Sequence, residues 1–178
     1  MTSRIPRIRV LAAALALTTA SAVALGAATD ADADQSRVTI HRVTIPAAHF
    51  QPTSSQWVYS TNYGSALYST GTGYFTAPIP YSYDGTGHVF ITRVEVIAYD
   101  NDVGGAVCVT LQRAEPTGTA ETAMGYSCTS DSPLVPQTQW FTPAPRRVNA
   151  GQRAYLKVST ANANMWLYAV RVTYTTNP

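Results

Sequence analysis

MWLYAVRVTYT, residues 165–175, decides the fold class. Trp166, Tyr168, Val170, Val172 and Tyr174 fall at every second position, with Leu167, Ala169, Arg171 and Thr173 between them. A period of two is the side-chain period of a β-strand, because successive side chains there point to opposite faces. The segment is therefore a strand with Trp166 to Tyr174 on one face. On this reading Trp166 belongs to the core, and so does Trp140 in the strand-like stretch 138–142.

The same period recurs on either side. In Arg153 to Thr160, Ala154, Leu156 and Val158 alternate with Arg153, Tyr155, Lys157 and Ser159. Ala106 to Arg113 sets Val107, Val109 and Leu111 against Cys108, Thr110 and Gln112. His88 to Tyr99 is a longer β-branched and aromatic run, apolar on both phases in places, as a central strand should be. Weaker strands are expected at Arg37–Ile45, Trp57–Tyr59, Gly73–Ile79, Ala123–Thr129 and Thr138–Thr142. Tyr83-Asp84-Gly85, Asp102-Val103-Gly104-Gly105, Ser132-Pro133 and Asn149-Ala150-Gly151 punctuate them as turns. No helical stripe and no internal repeat follows the first 28 residues. Eight or nine short strands at this spacing predict an all-β domain: one antiparallel β-sandwich, jelly-roll-like in its connections.

The beginning of the chain sets the compartment. Arg4, Arg7 and Arg9 precede an apolar run from Val10 to about Leu25, which ends in Gly26-Ala27-Ala28. Basic, apolar, then small is the order of a secretory signal peptide. The run is Ala-rich and broken by Thr18, Thr19 and Ser21, a poor match to a spanning helix. We therefore read 1–28 as a cleaved leader, 29–36 as a disordered acidic N-terminus and 37–178 as the sandwich domain. The expected product is secreted, with no membrane segment once the leader is removed.

Cleavage changes the charge. Of 12 basic residues three leave with the leader, so nine face ten acidic ones. That near-neutral balance, without a basic run longer than Arg146-Arg147, excludes the electrostatic footprint of a nucleic-acid binder. An oxidising compartment also makes a Cys108–Cys128 disulfide the default. Their midpoint is Gly118 in Pro116-Thr117-Gly118-Thr119, so a hairpin folded there sets the cysteines opposite one another. The same register opposes Glu115 to Glu121, a repulsive pair, unless both lie in a wider loop.

The order of APIPYSYDGTGHVFITRVEVIAYDND (77–102), AVCVTLQR (106–113) and AYLKVSTANANMWLYAVRVTYT (154–175) resembles a group of secreted bacterial β-sandwich proteins of uncharacterised function. The shared pattern is a Pro-flanked strand, a Gly turn, a long central strand ending in Asp-Asn, and a closing aromatic strand. The resemblance spans roughly Ile45 to Thr175. It implies a jelly-roll-like fold and carries no catalytic residue over.

Chemistry is sparse. No G-x-S-x-G elbow is present; Ser65 and Ser127 are merely glycine-flanked serines. A disulfide consumes both thiols. Glu95 stands alone in an apolar strand and is expected to pair with Arg93 or Arg171. His41, His49 and His88 lack zinc-ligand spacing. Asp100-Asn101-Asp102 before Gly104-Gly105 offers hard oxygens to calcium, although the same residues make an ordinary turn. The densest feature is aromatic: Trp57, Tyr59, Tyr63, Tyr68, Tyr74, Tyr81 and Tyr83 among Ser, Thr, Gly and Asn. Stiff rings with polar tips suit recognition surfaces. We expect a secreted non-catalytic binding or surface module for an extracellular glycan, cell-wall component or protein. A small glycan-active hydrolase and a self-assembling extracellular subunit are the alternatives.

Overall fold

Alternating segments become strands in the computed structural model, which describes residues 38–53, 59–60, 67–69, 73–81, 87–118, 120–130, 135–161 and 165–176, with backbone alone for 59, 60, 68 and 69. The strands are β1 (Thr39–Pro46), β2 (Gln51–Pro52), β3 (Tyr59–Ser60), β4 (Tyr68–Ser69), β5 (Gly73–Pro78), β6 (His88–Asp100), β7 (Val107–Ala114), β8 (Glu121–Cys128), β9 (Gln137–Phe141), β10 (Arg147–Asn149), β11 (Arg153–Thr160) and β12 (Met165–Thr176). A single 3-10 turn, Ala47–His49, follows β1. The leader and the acidic N-terminus lie outside the described residues. Among the described residues no helix is long and apolar enough to cross a membrane.

Two antiparallel sheets form. Sheet A runs β1-β12-β6, with β9 and β10 placed one after the other along the far side of β6. Sheet B runs β2-β5-β11-β7-β8, and β3 pairs with β4 as a separate ribbon. Counting β9 and β10 as one position gives eight long positions in chain order. Sheet A then holds the first, eighth, third and sixth, and sheet B the second, seventh, fourth and fifth. That is jelly-roll connectivity. Leu67, at the ribbon, exchanges backbone hydrogen bonds with Leu167 (2.8 and 2.9 Å) where β1 has ended at Pro46.

The core lies between the sheets. Val89, Ile91, Val94, Val96, Val170 and Val172 of sheet A meet Phe75, Val109, Leu111, Leu156 and Val158 of sheet B, all within 1% of complete burial. In β11 the expected alternation holds residue for residue. In β12 it does not. Between Leu167 and Ala169 the pairing with β6 slips by one residue. Met165 and Leu167 are buried before the slip, and Val170, Val172 and Tyr174 after it. A bulge inverts the phase, so Trp166 stands outside the core, stacked on Tyr99 with ring centroids 5.0 Å apart. Trp140 departs from expectation too, at 55% exposed. It sits on the edge strand β9 opposite Glu95, and both point away from Val94 and Val96.

The cysteines pair as expected, Cys108 directly opposite Cys128. A register shift at Leu111/Gln112 then resolves the acidic conflict. Glu121 falls opposite Ala114, and Glu115 belongs to the turn, where it accepts from the Gln152 amide. Gly125 stands at this irregularity with φ +148°, and a Cβ there would lie 2.9 Å from the Phe141 ring. Left-handed backbone strain and overpacking each cost about 1–3 kcal/mol. Gly125→Ala should lower unfolding free energy by about 2 kcal/mol in denaturant titration; an unchanged midpoint would contradict this packing.

Candidate functional site

The sequence-derived aromatic set divides. Trp57, Tyr63 and Tyr83 lie outside the described residues, and Tyr59 and Tyr68 are strand residues of the β3-β4 ribbon. Tyr74 stands on the outer face of sheet B, 39% exposed, with Lys157 Nζ 5.0 Å from its ring centroid. Tyr81 packs on the core, edge-on to the buried Tyr174. Its hydroxyl donates to the Gln152 carbonyl (3.2 Å) and accepts from the Ala154 N–H (3.0 Å). That ring ties the β5–β6 connection to β11, and the fold does not bring it together with Tyr74.

The acidic triplet is knitted into its own loop. Asp100 is fully buried and accepts from the Thr129 hydroxyl and the Asp102 N–H. Thr129 in turn accepts from the Val107 N–H at 2.9 Å, and Asp102 accepts from the Gly104 N–H at 3.0 Å. Asn101 is exposed between them. These bonds tie the β6–β7 turn to the end of β8. Among the described residues no three His, Cys, Asp or Glu side chains gather as a ligand set.

A different surface carries the most distinctive chemistry. On the outer face of sheet A, Thr44, Arg171, Glu95 and Trp140 form one row across β1, β12, β6 and β9. Glu95 forms an ion pair with Arg93 Nη2 at 3.1 Å and accepts from Arg171 Nη1 at 3.4 Å. Arg93 also lies over the indole of Trp140, its guanidinium carbon 4.4 Å from the ring centroid. An indole gripped from one side by a guanidinium is held still. At 55% exposure its other side faces solvent. Glu95 is only 12% exposed at its side chain and neutralises part of two arginine charges. The expected Glu95 pairing with Arg93 or Arg171 is present with both. Four residues further along β6, about 13 Å at strand rise, Tyr99 and Trp166 form the second aromatic platform of this face.

Sheet B offers less. Tyr126 is 70% exposed on edge strand β8. Tyr155 is held neutral, its hydroxyl pushed up to about 12, first by burial and then by its bond to the Glu121 carboxylate. A cavity of about 400 Å³ opens between Ala48, His49, Gln51, Pro78 and Pro80. Its walls are mainly apolar and hold one imidazole and one amide, a thin polar set for orienting a ligand.

No protein-family model matches this chain. No curated protein matches it either. Solved structures do. The C-terminal CBM6 of LamC, a marine laminarinase from Zobellia galactanivorans, superposes with TM-score 0.49 at 14% identity, over 75% of this chain and 99% of that one. The CBM22-1 xylan-binding domain of Paenibacillus barcinonensis Xyn10C gives 0.45 at 10%, over 73% and 91%. The CBM6cm-2 module of Cellvibrio mixtus lichenase 5A, solved with cellotriose, gives 0.40 at 17%, over 73% and 95%. At these scores none hands a ligand or a residue to this chain.

The sequence turned Trp140 inward because Trp140 and Phe141 are adjacent rings on opposite phases of 138–142, and it is Phe141 that packs against the core. The available signal was Arg93-Val94-Glu95: two opposite charges on one phase of a central strand mark that phase as the outer one, and β9 pairs against it.

Proposed function

We propose that this chain is exported, loses residues 1–28 and acts as a non-catalytic carbohydrate-binding module. The outer face of sheet A is its recognition surface. The observation that supports this reading is Trp140: a largely exposed indole, pinned flat by Arg93 beside the Glu95–Arg171 pair. A rigid aromatic face loses little conformational entropy when it meets the apolar face of a sugar ring, and neighbouring charged donors and acceptors can meet the hydroxyls. Trp140, Arg93, Glu95 and Arg171 are the contact residues of this reading, with Tyr99 and Trp166 extending the platform. The cross-strand disulfide supports an oxidising, extracellular setting.

The test is retention of the full chain on insoluble and soluble polysaccharides. Trp140→Ala should weaken binding roughly 30-fold, the loss of about 2 kcal/mol typical of an aromatic anchor. Its unfolding free energy should change by less than about 1 kcal/mol, as for an exposed edge residue. Undiminished retention in Trp140→Ala would remove this face from the function. The alternative surface is then the one that presents Tyr74 over Lys157, tested in the same way with Tyr74→Ala.

A further inference from the structure

We propose that the polysaccharide is anionic, its carboxylate or sulfate groups meeting arginines spread across the outer face of sheet A. This rests on the reading of that face as the binding surface and adds the charge of the ligand. Four arginines project from the face, one from each strand position: Arg42 on β1, Arg171 on β12, Arg93 on β6 and Arg147 on β10. The placements follow from register. Arg42 pairs with Thr173, which alternates with the buried Val172 and Tyr174. Arg147 pairs with Phe90, beside the buried pair Val148 and Val89.

Among the described residues the only acid on the face is Glu95, and it is shared by Arg93 and Arg171. Arg42 and Arg147 are exposed and form no ion pair among the described residues. The excess is local, because the whole chain has 12 basic and 10 acidic residues. Like charges collected on one face repel, and a polyanion reverses that cost when it binds. Every one of the four is arginine, whose planar fork meets a carboxylate or sulfate through two parallel hydrogen bonds.

The aromatic platforms choose among polyanions. Trp140 and the Tyr99–Trp166 stack offer flat faces about 13 Å apart along β6, a span of two to three sugar rings in an extended chain. The arginines gather at the Trp140 end of that line: Arg171 is level with Glu95, Arg42 and Arg93 lie one pair further back, and Arg147 is level with Phe90. A chain with ring faces for the indoles and acidic groups where it runs on past Trp140 satisfies both features at once; a lipid headgroup layer satisfies only the charge.

Affinity electrophoresis of the full chain decides the matter, in native gels containing polygalacturonate, dextran sulfate or a neutral β-glucan, at low and at high salt. The expected result is retardation about tenfold stronger by an acidic polymer than by the neutral one, the amount one or two exposed arginine contacts supply, and fading with salt. A stronger effect of polygalacturonate assigns the carboxylate; a stronger effect of dextran sulfate assigns the sulfate. Arg42→Gln with Arg147→Gln should erase the preference, and Arg42→Glu with Arg147→Glu should invert it. Equal retardation by neutral and acidic polymers overturns the inference and leaves glycan binding at Trp140 standing. No retardation by any polysaccharide overturns both. Tighter binding to a single-stranded oligonucleotide or to anionic vesicles than to either acidic polymer also overturns it.

Discussion

Phe75→Ala should cost about 4 kcal/mol of unfolding free energy, while Tyr74→Ala beside it should cost under about 1 kcal/mol. The two are neighbours on β5, and strand alternation sends them to opposite faces. Phe75 is completely buried in the core between the sheets, next to Val158 across the β5–β11 ladder. Removing a buried phenyl ring loses its transfer free energy and leaves a cavity that a two-sheet core closes only in part, a combined cost of about 3–5 kcal/mol. Tyr74 projects to solvent, and its contact with Lys157 is an exposed one, worth about 0.5–1 kcal/mol. Denaturant titrations of both variants check this, with slopes unchanged and midpoints far apart. A larger cost for Tyr74→Ala than for Phe75→Ala would mean that β5 is paired one residue out of register.

Replacing both cysteines with alanine should remove roughly 3 kcal/mol and lower the thermal midpoint by about 10 °C. The bridge closes the β7–β8 hairpin across 20 residues of sequence, and it sits at the open end of that hairpin, opposite the Glu115–Ala120 turn. With the bridge cut, an unfolded chain regains the conformations that a closed loop forbids, and β8 stays attached through its ladder to β7 alone. An edge strand with one neighbour has fewest other bonds to hold it. Scanning calorimetry of the oxidised chain, the reduced chain and the double variant gives the check. A loss under about 1 kcal/mol would show that the hairpin holds its shape without the bridge.

How much of this was legible in the sequence depended on what each segment had for neighbours. β7, β11 and β12 announced themselves because a strand buried on one face must alternate, and β6 through its long β-branched and aromatic run. The disulfide followed from two cysteines equidistant from Gly118. The strands that escaped notice, β2, β4 and β10, have two or three residues each, too few for any period to show. The faces of Trp166 and Trp140 were misjudged for two different reasons. A one-residue slip at Leu167/Ala169 is produced by pairing with β6, which the isolated segment does not reveal. Trp140 lies on an edge strand, where the sandwich has no second layer to cover an outward ring. Composition could not say whether the tyrosine-rich stretch shares one surface; of its described side chains, the fold spends Tyr81 on backbone bonds and leaves Tyr74 outside. The face proposed for recognition is assembled from β1, β6, β9 and β12 and draws on residues more than a hundred positions apart, which composition cannot gather.

The position of β12 bears on how the chain is made. It follows every other strand in sequence, yet it lies inside sheet A with β1 on one side and β6 on the other. Until residues 165–176 emerge, β1 has no partner in that sheet and the two halves of the layer are separated by a gap one strand wide. During synthesis from the N-terminus sheet A therefore stays open until β12 is made, and β12 acts as its latch.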